Sequence, residues 1–365
     1  MGVSQEKITP GALACLTFSF LSGFSTLFLF EAKVLKQDVW LSYVIAVTMA
    51  CGILLLLCYV QRQYPQFSMV QIFDKLLGKQ LARAALFFYL IYMLEIQSLA
   101  SQALTSFYRT VVLPNSSSNQ ILLLIVCATS YAAYLGLGPI VRTMQITLPF
   151  FLISIFVICF FIFKEVGSNP FLPPLQHRVE EIGYCSLISL FFPFGKSVVL
   201  CFVFSHATDI KKLARHIPLA LALSGLYLIA AAYLTLGSLG MHLTEDLTFP
   251  FFSAIQLVTF GEYIERIEIM IIGIWTIFTL FEIIILQLIF TEIFCHVVGL
   301  PRNRGFIVPV GLLFFAIAQR SFVHLNDLAN YNVRLAPFTT LLPMALIPLI
   351  ISILTMLQKK RKKSA

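Results

Sequence analysis

Ten separate stretches of this chain are apolar over roughly 15 to 30 residues, and a helix needs about 20 such residues to cross a bilayer. They run over 10–30, 39–60, 81–112, 119–136, 139–163, 183–205, 217–240, 265–295, 306–320 and 335–357. In lipid, each backbone N–H and C=O must be satisfied within its own segment, which leaves helices as the form such stretches take. The expected fold is therefore an all-α integral membrane protein of ten transmembrane helices. Composition agrees. Hydrophobic residues make up 59% of the 365 and charged residues only 12%, against roughly 25% charge in a soluble domain. An ordinary soluble enzyme, a disordered chain and a secreted disulfide scaffold are excluded. The third and eighth stretches are long enough to tilt or protrude, and the ninth is the shortest.

Charge sets the orientation. With the N-terminus inside, the inner segments hold 16 Lys and Arg, the outer segments hold 8, and Lys196 falls inside a span. That two-to-one excess puts both termini on the cytoplasmic side. Five of the positive charges, Lys359 to Lys363, form a run directly after the last apolar stretch. Such a run reads as an anchor to lipid headgroups, not as a nucleic-acid surface. Two outer loops, 164–182 and 241–264, are the longest. In the first, Arg178-Val-Glu-Glu is expected to begin a short surface helix; in the second, the run Phe249 to Phe252 is expected to lie back on the bundle. The inner stretch Met69 to Leu77 is amphipathic and suits the membrane interface. His206 and His216 flank a basic inner loop and read as surface residues. The eight cysteines form no CxxC pair, and no metal or cofactor is implied.

Two spans are interrupted near their middles. The first contains Ser22, Gly23, Phe24 and Ser25, and the sixth contains Phe192, Pro193, Phe194, Gly195 and Lys196. Proline removes a backbone donor and glycine tolerates unusual dihedrals. Either interruption alone is compatible with a simple kink. Two of them open the two halves of a ten-helix chain, which points to inverted five-helix repeats with a ligand site at the midplane. The repeats are expected at about 10–163 and 183–357, followed by a basic cytoplasmic tail, 358–365. Free N–H groups of a half-helix can hold a carboxylate, and free C=O groups an ammonium or cation.

Three ionisable residues fall at similar depth inside spans: Glu95 in the third, Lys196 in the break of the sixth and Glu282 in the eighth. One charge at bilayer centre costs at least about 2.5–3.5 kcal/mol, so the three are expected to face one polar cavity. Lys196 is expected to pair with Glu282, with Glu95, or with both; a purely structural ion pair and proton carriage by either carboxylate are the alternatives. Tyr92 and Ile96 lie beside Glu95 on the third helix, and Phe24, Phe192 and Phe194 flank the breaks. These side chains are candidates for the cavity lining.

Certain stretches carry a family likeness: Glu31-Ala-Lys through Lys36-Gln-Asp-Val-Trp40, Tyr64-Pro through Leu76-Leu-Gly-Lys79, Phe191-Phe-Pro-Phe-Gly195, and Tyr263-Ile-Glu-Arg-Ile-Glu268. Along essentially its whole length the chain resembles the B subunit of bacterial spore germinant receptors, the endospore germination permeases. These belong to the amino acid–polyamine–organocation superfamily, so the resemblance implies its five-plus-five, LeuT-like fold with helices one and six broken. It also implies a subunit of the spore inner membrane that binds a small nutrient, often an amino acid. The implied partners are a larger membrane A subunit and a C-subunit lipoprotein. The family's pocket on helices one, three, six and eight maps onto Gly23, Tyr92, Ile96, Pro193 and Glu282. Glu265, Arg266 and Glu268 match the family's Glu-Arg-x-Glu element, with a structural or gating part. One departure stands out: the family commonly has Glu after Phe-Pro-Phe-Gly, and this chain has Lys196. Either the pair is rearranged to keep the site neutral, or Lys196 meets a ligand carboxylate while Glu282 meets an amine.

Two functions from different classes follow. One is a nutrient-sensing receptor subunit, and the other a proton- or sodium-coupled amino acid transporter of the plasma membrane. Fold alone does not separate them. An enzyme is not expected, since no metal set, nucleophile elbow or phosphate loop is present.

Overall fold

The computed structural model describes residues 7–23, 28–167, 169–257, 268–301, 303–321, 327 and 330–364. Each of the ten apolar stretches contains a helix within those residues. The first helix is Pro10–Leu21, entered through a Thr9 cap, and it stops inside its apolar stretch at Ser22. The second to fifth are Val39–Gln63, Lys79–Phe107, Ser118–Leu135 and Leu137–Ile162. The sixth comes in two pieces, Val179–Ser189 and Gly195–His206. The seventh, eighth and ninth are Ile210–Leu239, Glu268–Val298 and Ile307–Arg320. The tenth begins at a turn over Tyr331–Leu335, ahead of its apolar stretch, and ends with Ile347–Ser364. Eight of the ten are long and apolar enough to cross a membrane; the first and ninth are shorter.

The packing follows an approximate two-fold relation between the halves. The second helix packs on the seventh, the third on the eighth, and the fourth on the ninth. The first packs on the seventh much as the sixth packs on the second. These three pairings of a helix with the one five later are what two inverted five-helix repeats produce. They place the two interrupted helices, one and six, at the centre.

Local sequence explains the joints. Ser68 and Gln71 form a reciprocal cap that starts the inner amphipathic helix Met69–Leu77, and its apolar residues Met69, Val70, Ile72 and Phe73 are buried. Gly136, at φ 97°, lets the fourth helix end and the fifth begin at once. After the seventh helix, Phe249, Phe251 and Phe252 are buried around the short helix Pro250–Gln256, with Phe107 edge-on to Phe249 and Phe252 at 5.2 and 5.1 Å.

Two expectations are corrected here. Arg178 does not begin a separate surface helix; it caps Val179–Ser189, which is the outer half of the sixth helix itself. The apolar residues that follow leave no reason for the chain to turn away. His206 is not on the surface. It is buried where the sixth helix ends, and its carbonyl accepts the Ile8 N–H at 2.8 Å. The N-terminal segment covers it in a short bridge, Ile8 with Ala207.

Candidate functional site: a buried ion pair at the break of the sixth helix

The sixth helix breaks at Phe192, whose φ of −139° and ψ of 118° are extended. Pro193 follows with no N–H to continue the ladder. Gly195 sits so close to Met344 and to the Leu190 carbonyl that a side chain there has no room. The backbone turn thereby delivers Lys196 into the interior, where it is 1% exposed. Its Nζ donates to Glu282 Oε2 of the eighth helix at 2.7 Å, and Glu282 is 3% exposed. The same ammonium lies 5.5 and 5.4 Å from the ring centroids of Phe20 and Phe192, within cation–π range.

The interrupted first helix reaches the same place. A Cβ on Gly23 would stand 2.8 Å from Thr279 Oγ1, one turn before Glu282. Glycine is thus what allows the first helix to approach the eighth. The Ser22 hydroxyl is buried with no hydrogen-bond partner among the described residues. On the third helix, the Tyr92 hydroxyl is also buried without one, within electrostatic reach of Glu95, Tyr331 and Glu282. Glu95 hydrogen-bonds to the Tyr331 hydroxyl of the tenth helix, and Tyr331 lies 3.1 Å from Thr339 Oγ1. Ile96 is buried beside them.

The structure therefore brings together Ser22, Gly23, Tyr92, Lys196 and Glu282, with Phe192, Pro193 and Gly195 forming the break. Glu95 belongs to the Tyr331 side and makes no ion pair among the described residues. Phe24, Ser25, Glu265 and Arg266 lie outside the described residues. Glu268, at the start of the eighth helix, is about four turns from the ion pair.

Burying two charges costs several kcal/mol of solvation each, which their attraction offsets only with good geometry. A cation and an anion 2.7 Å apart, beside a helix break and unpartnered hydroxyls, form a polar centre in an apolar bundle. Such a centre can exchange partners with a small molecule that carries both charges. Among the described residues no cluster of His, Cys, Asp and Glu has the form of a metal site.

A family model described as "Spore germination protein" matches residues 7–323. The chain belongs to that family. Spore germination protein KB of Bacillus subtilis (strain 168) is 22% identical over 375 residues, spanning 100% of this chain and 98% of the relative. Among solved structures, MhsT in complex with L-phenylalanine matches with a TM-score of 0.67 at 13% identity, covering 95% of this chain and 88% of that one. A nucleobase-cation-symport-1 family transporter, Mhp1, in a closed conformation with bromovinylhydantoin bound, matches at 0.65 and 11%, covering 90% and 75%. A Na⁺-coupled sialic acid symporter in a substrate-bound outward-open state matches at 0.64 and 12%, covering 95% and 77%. At such identities these likenesses concern the fold, which is the LeuT-like transporter fold. This germination-family protein is thus an integral membrane protein built as a permease is built.

Several residues of the site escape sequence reasoning. Phe20, Thr279, Tyr331 and Met344 are ordinary members of apolar or mixed stretches. Only Tyr331 carried a signal, as a tyrosine just ahead of an apolar run, and hydropathy assigned it to a loop.

Proposed function

We propose that the protein is the nutrient-sensing membrane subunit of a spore germinant receptor, and that it binds an amino acid at the break between helices one and six. The Lys196–Glu282 pair carries this reading. A zwitterion offers its carboxylate to Lys196 and its ammonium to Glu282, so one buried ion pair is exchanged for two. Binding then favours whichever arrangement of the bundle completes both contacts, and the shift is bounded by the ligand's difference in affinity for the two states. The bodies that move are groups of helices drawn from both repeats: the first, second, sixth and seventh, which pack on one another, rock against the third, fourth, eighth and ninth. Partner subunits, a membrane A subunit and a C-subunit lipoprotein in the spore inner membrane, read that shift. Family membership and the full-length likeness to a germination protein support this assignment.

The test is thermal stability of the purified full-length chain against a panel of amino acids and their one-charge analogues. A ligand at 100 times its Kd stabilises by about 2.7 kcal/mol. Stabilisation is expected from an amino acid but not from its amino alcohol or its des-amino acid. The double variant Lys196→Met/Glu282→Leu, in which an apolar pair replaces the charges, is expected to fold and lose the response. An undiminished response in that variant would sink the proposal. In spores, deletion of the gene is expected to abolish germination to the same amino acid.

A second reading is a proton- or sodium-coupled amino acid transporter. Three solute-binding membrane proteins of the same fold favour it. Uptake of labelled amino acid into proteoliposomes under an imposed ion gradient separates the two, since a receptor subunit accumulates none.

A further inference from the structure

The segment Glu31 to Trp40, between the first and second helices, takes no part in the site above, yet its side chains reach several outer elements. Lys36 Nζ lies 3.3 Å from Glu245 in the short helix Met241–Asp246. Asp38 accepts the backbone N–H groups of Leu175, Gln176 and His177. Trp40 packs against Phe171. Glu31 turns inward, and it is 2% exposed. Its Oε1 accepts from Ser189 Oγ, on the outer half of the sixth helix, at 2.8 Å. Its Oε2 accepts from Tyr43 Oη, on the second helix, at 3.3 Å.

Among the described residues no Lys, Arg or His pairs with Glu31. The ionisable groups on the surrounding elements are otherwise engaged or turned away. Tyr43 and Cys185 face it from the second and sixth helices. Glu180 and Glu181 at the start of the sixth helix are exposed, as is Lys33 on its own turn. Glu245 is paired with Lys36, Asp38 with His177 at 2.9 Å, and His242 and Asp246 are exposed. A buried carboxylate held by two neutral hydroxyls, with no cation, pays a solvation cost of several kcal/mol that a neutral acid does not. Burial accordingly pushes this carboxyl up to about 7, against the opposing pull of its own backbone and the Ser189 and Tyr43 hydroxyls.

We propose that Glu31 is a proton-binding site, occupied when the outer half of the sixth helix is closed on the second helix and emptied when Ser189 and Tyr43 draw apart. The proton comes from water on the outer face, adds to one carboxylate oxygen, and returns to that water on opening. Because the closed arrangement raises the affinity for the proton, acid favours closure. The stabilisation is complete below the ordinary carboxylate value of about 4.3 and is lost as pH rises through about 7. This inference is independent of which molecule the chain binds.

Infrared difference spectra of the purified full chain in lipid nanodiscs read the protonation directly. At about pH 6 an ordinary carboxyl is almost wholly ionised. The wild type is expected to show there a carboxylic-acid C=O band that Glu31→Gln lacks, and the difference is expected to vanish by about pH 9. A wild type and variant with the same acid band at about pH 6 would overturn the proposal. Ser189→Ala gives an independent check if Glu31→Gln fails to fold. It removes a donor to the charged form, so the band's titration is expected to move to higher pH; an unmoved midpoint would count against Glu31 equally.

Discussion

Glu282 faces Lys196 at 2.7 Å in a part of the molecule where water is excluded from both. Removing Lys196 leaves a buried carboxylate without the cation it faces, and breaking such a pair costs about 3–5 kcal/mol. Lys196→Met is therefore expected to destabilise the detergent-solubilised protein by that amount, and Glu282→Leu by a similar amount. The double variant is expected to recover most of the loss, because replacing a buried pair by apolar groups is often neutral. Melting curves for the four proteins give the coupling directly. Simple addition of the two single losses would mean that each residue matters for its shape and not for the pair. The sequence placed Lys196, Glu95 and Glu282 at similar depth, since depth is a matter of counting along helices. Which carboxylate meets the lysine depends on the rotation of the third and eighth helices. The eighth is apolar nearly all round, so its pattern names no face. The pair, 86 residues apart in the chain, became visible only in the folded molecule.

The loop between the fifth and sixth helices is tied by one residue. Asp38 is buried and takes the Leu175 N–H at 2.7 Å, the Gln176 N–H at 2.8 Å, the His177 N–H at 3.2 Å and the His177 ring at 2.9 Å. Burial pushes its pKa up, but the His177 ring and the three amides outweigh burial and hold it below the ordinary carboxylate range. A depressed folded pKa gives stability that is present above about 3.9 and is lost as pH falls through the folded value. Asp38→Asn keeps the shape but turns an amide donor toward one of those donors. Hydrogen exchange at Leu175 to His177 is expected to speed up about ten- to a hundredfold, the equivalent of one charge-assisted hydrogen bond. Unchanged exchange would show that the loop is held by Phe171 and Trp40 instead. At this scale the sequence was most legible where hydropathy decides. Helix lies within each apolar stretch, eight of them in helices long and apolar enough to cross a membrane among the described residues, and the amphipathic stretch Met69–Leu77 is a helix over its expected bounds. It was least legible at joints set by tertiary contact, such as Arg178, where the surface chain and the sixth helix are continuous.

Ile8 and the last helix come to one end of the bundle. Ile8 bridges Ala207 below the sixth helix, while Lys359 lies over the Tyr59 ring and Gln358 accepts from the Tyr64 hydroxyl near the end of the second. The second and sixth helices start together at the other end, where Asp38 takes the backbone N–H groups of Leu175, Gln176 and His177, so their far ends share a side. Counted along the chain, 16 of the 25 Lys and Arg fall in the segments assigned to that shared side, including the run from Lys359 to Lys363. Cytoplasmic loops retain such charge because it resists translocation and is drawn to anionic headgroups. The end with the termini is therefore expected to face the cytoplasm, and the end with Glu31 and Asp38 the opposite solvent. Lys33 and Lys212 are exposed at the two ends and make a clean pair of reporters. In intact protoplasts, a membrane-impermeant maleimide is expected to label Lys33→Cys and to spare Lys212→Cys until the membrane is permeabilised. The reverse pattern would invert the molecule, put the proton site at Glu31 in contact with the cytoplasm, and require any ligand that enters near it to come from inside.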